Sequence, residues 1–428
     1  LLSLVVSPAC KGYLIMVVRL DEIPAPAPQP APPRLWVWLG LLLICVVLGV
    51  CLVLWLAESS MTEEPGYFWW HSLGLPLLAW CGLGALRALV FTLQKGAADG
   101  WDAAREEDRL SKVNQGRRSQ QVLVVSLHTA LRDEQVEDIR AQQLKALQGK
   151  VSALRAQASW QGESAVRHSR LPIGEMERSV DVLQRLLSQV FADMSQVLAS
   201  FPPDLPLALH LDVNTSLSDK VIVEAWKQAW AGAGIRRALQ ATEGNGLAVI
   251  DQWLDHRAND QALLMIIAFQ VAPGVVEEST EAVVGMLFGS GPSRVSPHPH
   301  VYLHRPEQER EPSTDGLVSS IHQALNWAQI GPGSLDGVWL SGIDHQRQAD
   351  VGTALERLGV PATPQKGQHN LDTILGRSGK AAPWLAIAAA AQAIQLEGRP
   401  QLTLCGDGTG SPGLWCTAIR PIAVDLQG

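Results

Sequence analysis

Leu35 to Leu56 is an uninterrupted apolar run without a charge. At 1.5 Å per residue a helix of this length crosses a hydrocarbon core of about 30 Å. A second run, Tyr67 to Leu86, carries no formal charge, though Gly74, Pro76, Gly82 and Gly84 loosen it. Such residues are tolerated in lipid-embedded helices. Trp36, Trp38, Trp55, Trp69 and Trp70 stand near the ends of the runs, where interfacial aromatics collect. A transmembrane hairpin over residues 35–95, with spans about 35–56 and 67–86, is therefore expected.

Charge sets the expected orientation. The connector Ala57–Gly66 holds Glu58, Glu63 and Glu64 and no Lys or Arg. Arg19 and Arg34 precede the first span, and Arg87, Lys95, Arg105, Arg109, Lys112, Arg117 and Arg118 follow the second. The positive-inside bias then places both chain ends in the cytoplasm, with a short acidic loop outside. The first fifteen residues lack the basic n-region and cleavage site of a signal peptide, and Met16 is an alternative start. Residues 1–34 read as a Pro-rich segment: Pro24, Pro26, Pro28, Pro30, Pro32 and Pro33 favour a stiff, solvated linker. Residues 96–119 read as a juxtamembrane linker.

The rest reads as one large domain, residues 120–421. A net charge of −8 and a pI near 5.8 imply no basic face for nucleic acid. The cysteines at 10, 45, 51, 81, 405 and 416 have neither metal-type nor disulfide-framework spacing. Gln120–Ser126 reads as a buried strand. Asp133 to about Trp160 and Gly174–Ser200 carry apolar residues at helical spacing, so 131–200 is expected to be a helical insertion. Beyond Pro206, strands at 207–213, 262–269, 281–288, 301–303, 337–341, 401–405 and 413–419 alternate with helices at 221–233, 246–256, 317–327, 349–358 and 381–396. Short uncharged strands between helices point to an α/β core with buried sheets.

Three segments carry a resemblance. Gly244-Asn-Gly-Leu-Ala-Val-Ile-Asp-Gln-Trp-Leu254, followed by Asp260–Ala268, resembles the nucleophile helix of a ketoacyl synthase and its next strand. Trp339-Leu-Ser-Gly-Ile-Asp-His-Gln-Arg-Gln-Ala-Asp350 is similar to that family's first histidine loop. Asn370–Trp384, its Ala/Ile helix and the Gly-rich strand Gln401–Gly410 resemble the closing elements of a thiolase or ketoacyl-synthase fold. The resemblance implies a thiolase-like duplicated α/β core, but the chemistry does not follow it. A condensing enzyme needs a cysteine at a helix N-terminus, where the dipole favours the thiolate; Glu243 and Gly244 stand there. It needs two histidines to stabilise the oxyanion and enolate; the first falls near Gly342 and the second on Arg377.

Other residue types are weaker pointers. His345 lies three residues from the first histidine station, and Cys405 on the last Gly-rich strand. Ser341, Asp344 and His345 crowd one loop without the order a triad needs in space. His298, His300 and His304 have metal-capable side chains in a Pro-rich loop. Asp407-Gly-Thr-Gly410 resembles part of a phosphate cradle but reads as a tight turn. No catalytic, metal or cofactor residue is assigned. As a whole, the anchor joined to an apparently inactive thiolase-like body resembles the type VI secretion lipase adapter family. That resemblance implies a bacterial inner-membrane protein that binds a toxic effector, often a lipase, and assists its loading on the secretion spike. Residues 131–200 and 289–312 would be the contact surfaces, and a homodimer is an open option. The rival expectation is a membrane-bound acyl-transfer or lipid-binding enzyme, with its chemistry moved to Cys405 or His345.

Overall fold

The computed structural model describes residues 18, 20, 22–56, 65–149, 151–174, 177–242, 244–256, 262–289, 301–408 and 413–421. They form two compact units, residues 19–114 and the residues from Gln115 onward together with Val18.

In the smaller unit α1 (Leu35–Leu56) is followed by α2 (Pro65–Trp69), one π-turn (Trp70–Gly74) and α3 (Leu75–Gly116), whose last two residues belong to the larger unit. The π-turn sits just before Pro76, which has no N–H for a regular i→i−4 bond. Gly49 lets α1 approach closely, since a Cβ there would stand 2.8 Å from the Ser72 carbonyl oxygen and against the Pro76 ring. Two helical stretches, Leu35–Trp55 and Gly66–Gly116, are long and apolar enough to cross a membrane, and their most apolar windows are wholly unburied. The Pro-rich segment departs from expectation. Residues 24–31 lie along α3 instead of running free, because Arg87, Trp101, Asp102 and Arg105 bond to them.

The larger unit is built twice on one plan. The first half runs β1 (Ser119–Thr129), α4 (Ile139–Gln148), the hairpin β2 (Arg155–Ser159) and β3 (Gly162–His168), α5 (Ser179–Leu198), β4 (Leu207–Asn214), α6 (Asp219–Gly232), β5 (Leu239–Ala241), α7 (Ala248–His256), β6 (Leu263–Gln270) and β7 (Ala282–Gly289). The second runs β8 (Val301–His304), β9 (Glu307–Gln308), α8 (Thr314–Ala328), β10 (Gly337–Ser341), α9 (His345–Arg357), β11 (Gln368–Asn370), α10 (Leu371–Ile374), α11 (Ala382–Glu397), β12 (Gln401–Cys405) and β13 (Trp415–Pro421). The strands order as β5-β4-β6-β7-β1 and β11-β10-β12-β13-β8, the same permutation in each half. Within each, the two outer pairings are parallel and the next two, toward the joint between the halves, antiparallel. Antiparallel pairing of β1 with β8, Ser119 opposite His304 and Val122 opposite Val301, joins the halves into one eleven-stranded sheet.

Alternation along the strands assigns the layers. Leu263, Met265, Ile267 and Phe269 of β6 face α5 and α6, while Leu264, Ile266 and Ala268 face the centre. In the second half Val338 and Leu340 of β10 face α8 and α9, and Trp339 faces the centre. The central layer holds α4, α7 and α11. Helix α11 is apolar nearly all round, as a helix between the two half-sheets must be, and is buried from Ala382 through Ile394, Gln392 included.

Residues 131–200 are not the helical insertion expected. Helix formation stops at Gly149, and 155–168 fold into a hairpin around Trp160 and Gln161. Helix α5 is no addition either: Val182, Leu183, Leu186, Leu187, Val190, Phe191 and Met194 cover the first half-sheet as α8 covers the second. Only α4 and the hairpin lack a counterpart in the second half. The 289–312 interruption carries β8 and β9, and residues 290–300 lie outside the described residues.

Candidate functional site

The parallel strands β4, β6, β10 and β12 end at one seam between the halves, where open α/β sheets place their ligands. The turn after β10, the approach to α11 and the turn after β12 meet there, and the loop before α7 carries the remaining expected station.

The first station is Gly244, with φ of +117°, a conformation that glycine adopts freely and cysteine does not; Glu243 lies outside the described residues. At the first histidine station, Gly342 has φ of +69° and packs so that a Cβ would stand 2.9 Å from that of Ala382. Asp372 fixes this turn by accepting from the Gly342 and Ile343 N–H groups at 2.9 and 3.0 Å. Beside it the buried Ser341 hydroxyl meets that of Ser378 at 3.4 Å.

The second station is used as a splice between the halves. The Arg377 N–H donates to the Glu278 carbonyl at 2.8 Å, and its own carbonyl accepts from the Thr280 N–H at 3.1 Å. The same carbonyl accepts from Gln270 Nε2 at 2.7 Å. The guanidinium is exposed. Two residues on, Gly379 (φ +54°) lies flat against the Asn214 and Gln270 amides, which bond each other at 2.6 Å.

Cys405 is fully buried, with its thiol directed at the Trp415 carbonyl oxygen 3.9 Å away. Burial pushes this thiol well above its ordinary range, and the Cys416 thiol, which meets Ser320 at 3.2 Å, up to about 12. Neither supplies a thiolate near neutral pH. His345 is exposed at the first turn of α9 beside exposed Asp344, and Ser341 is turned to Ser378 instead, so the three are not brought into a relay. Gly408 (φ +69°) closes the turn after β12 against the Lys380 backbone; Thr409 and Gly410 lie outside the described residues, as do His298 and His300. His304 is buried on β8, and both its ring nitrogens lack a hydrogen-bond partner among the described residues.

The structure adds a cluster that the motif comparison does not contain. His210 and Asp212, alternate residues of β4, both turn into the central layer. His210 Nε2 bonds Asp212 Oδ2 at 3.0 Å, and Thr242 Oγ1 lies 3.4 Å from His210 Nδ1. Trp384 Nε1, from the first turn of α11, donates to the same carboxylate oxygen at 2.6 Å. Burial alone would raise the Asp212 carboxyl, but hydrogen bonding and charge from His210, helped by Trp384 and Lys380, hold it below its ordinary value. One signal for this pair is legible: a His and an Asp at alternate positions of an otherwise apolar strand. Thr242 also borders a cleft of ≈ 180 Å³ lined by Ala208, Gln240, Val249, Trp253 and His256. Chemically, the set places an imidazole nitrogen beside a hydroxyl.

No protein-family sequence model matches the chain, and no curated protein matches it in sequence. Solved structures do match. The ishigamide ketosynthase/chain length factor superposes with a TM-score of 0.50 over 71% of this chain and 100% of that one, at 12% identity. The PfaC ketosynthase–chain length factor gives 0.51 over 72% of this chain and 43% of that one, at 11% identity. A β-ketoacyl synthase from Burkholderia phymatum gives 0.50 over 72% and 100%, at 9% identity. The fold is thiolase-like. At these identities the likeness concerns the fold alone, and it agrees with the repeated strand order.

Proposed function

We propose that this protein is a membrane-anchored, non-catalytic adapter on a thiolase-like body. It binds a toxic effector, with a lipase as the class implied by the resemblance to type VI secretion lipase adapters, and assists its loading on the secretion spike. The observation that carries this reading is the use made of the condensing stations. Gly244, Gly342 and Arg377 stand where thiol and imidazoles would be required; the Gly342 backbone is spent on binding the Asp372 carboxylate and the Arg377 backbone on holding the halves together. A rigid body of this kind keeps surface for a partner and lacks the groups that form a thiolate or an enolate. The hairpin β2–β3, an addition to the repeat with mostly exposed residues, is the surface assigned to the partner, while residues 301–309 of the expected 289–312 surface are largely buried in the core. The two apolar helical stretches support an inner-membrane anchor. Pairing of residues 24–31 with 87–105 supports both flanks of the hairpin lying on the same, cytoplasmic, side.

A second reading, acyl transfer, draws on Thr242, His210 and Asp212. This arrangement would let His210 Nδ1 accept the Thr242 proton while Asp212 steadies the imidazole. Affinity purification of the full-length protein from its native membranes separates the two. A stoichiometric effector or spike component is the adapter's expected result. Recovery of acyl carrier protein or lipid alone overturns it.

A further inference from the structure

One face of α3 is chemically unusual for a helix leaving a membrane. Trp80, Arg87, Trp101, Asp102 and Arg105 fall within roughly 100° of its circumference at 3.6 residues per turn. Each of them bonds the chain before or at the start of α1. Trp80 Nε1 donates to the Trp38 carbonyl oxygen at 2.9 Å, and Arg87 reaches that of Ala31 at 3.5 Å. Trp101 Nε1 donates to the Ala25 oxygen at 3.3 Å, and Arg105 Nε to the Pro24 oxygen at 2.6 Å. Asp102 accepts from the Ala27 N–H at 2.8 Å and from Gln29 Nε2 at 3.3 Å. The two segments run antiparallel.

The bonding suits its partner. A strand with proline at alternate positions has no N–H at those residues and no internal hydrogen bonds, so it offers carbonyl oxygens outward. Indole and guanidinium donors set along a line match those oxygens, and Asp102 takes the N–H of a non-proline position. Proline also restricts the strand before it docks, which lowers the entropy lost on binding.

We propose that this face of α3 is a receptor for a proline-rich strand, filled in cis by the chain's own residues 24–31, and that a proline-rich peptide in trans can displace them. Tethering gives the cis strand an effective concentration on the order of mM, so the intact strand keeps the face closed to dilute ligands. Loosening it opens a binding site on the juxtamembrane helix.

The test uses full-length protein in detergent micelles and a fluorescein-labelled synthetic peptide of residues 22–34, followed by fluorescence polarisation. Replacing Pro24, Pro26, Pro28 and Pro30 together by Gly makes the cis strand flexible and weakens it. The expected result is peptide binding at least about tenfold tighter than to wild type, in keeping with release of the tethered competitor. Adding Asp102→Ala and Arg105→Ala should abolish that gain. Equal binding to wild type and the glycine variant overturns the proposal, and so does a gain that survives the loss of Asp102 and Arg105.

Discussion

Arg305 follows β8 in the second half and is 1% exposed, yet its guanidinium is spent on helix α7 of the first half, where it pairs with Asp251 and Asp255. Asp251 is itself 5% exposed, and burial, opposed by Arg305 but reinforced by Asp255, holds its carboxyl up at about 6. Arg305→Met keeps the length and packing of the stem and removes the cation. Removing one partner of a buried ion pair costs about 3–5 kcal/mol, because the other charge stays buried without compensation. The loss should depend on pH, with a definite sign. Without the cation the folded-state pKa of Asp251 rises further above its unfolded value. A group raised in this way contributes stability below the unfolded pKa and loses it as pH climbs through the folded one. The variant should therefore be worst at pH 7.5 and recover roughly half of its deficit at pH 5. Urea unfolding in detergent reads this directly through the buried Trp327, Trp339 and Trp384. A loss below about 1 kcal/mol at pH 7.5, or an equal loss at both pH values, refutes the reasoning.

Four further substitutions probe the same body by the same unfolding assay. His304→Leu should be near neutral at pH 7.5 and more stable than wild type by about 2–3 kcal/mol at pH 4.5. Burial and Arg420 hold the wild-type imidazole down at about 4, so its contribution is lost as pH falls from the unfolded value toward that point; equal acid sensitivity of the two proteins counts against this. Gly379→Ala places a Cβ at positive φ against the Asn214 and Gln270 amides and should cost about 1–3 kcal/mol. Gly352→Ala, in open space on α9, should be neutral or stabilise by up to about 1 kcal/mol. Trp384→Phe keeps an aromatic ring but removes the five-membered ring with its donor to Asp212, with an expected loss of about 1–3 kcal/mol from the lost bond and the void together; a neutral result means the indole bond does not hold the seam.

The fold was legible where burial left a clean pattern. Strands 337–341 and 401–405 carry no charge and helix 382–397 none before its terminal Glu397, and the structure places them within a residue of expectation. β5 and β11 were not legible: each is three residues long, lies at a sheet edge and has few apolar side chains to mark it. The β2–β3 hairpin was not legible because Val151 and Leu154 continue a helical spacing while strand β2 itself, Arg155–Ser159, holds no β-branched or aromatic residue. At the site, the stations at 244, 342 and 377 follow from local motifs. The meeting of Thr242 and Trp384 at the His210–Asp212 pair depends on how the two halves close around α11. No spacing within one segment encodes that.

The central claim is that the condensing stations have lost their chemistry while the body remains intact. Intact-mass analysis of the purified full-length protein after incubation with short- and long-chain acyl thioesters tests it most directly. The account predicts an unchanged mass and no released thiol. A stoichiometric acyl adduct that disappears with Thr242→Ala or Cys405→Ala would contradict it.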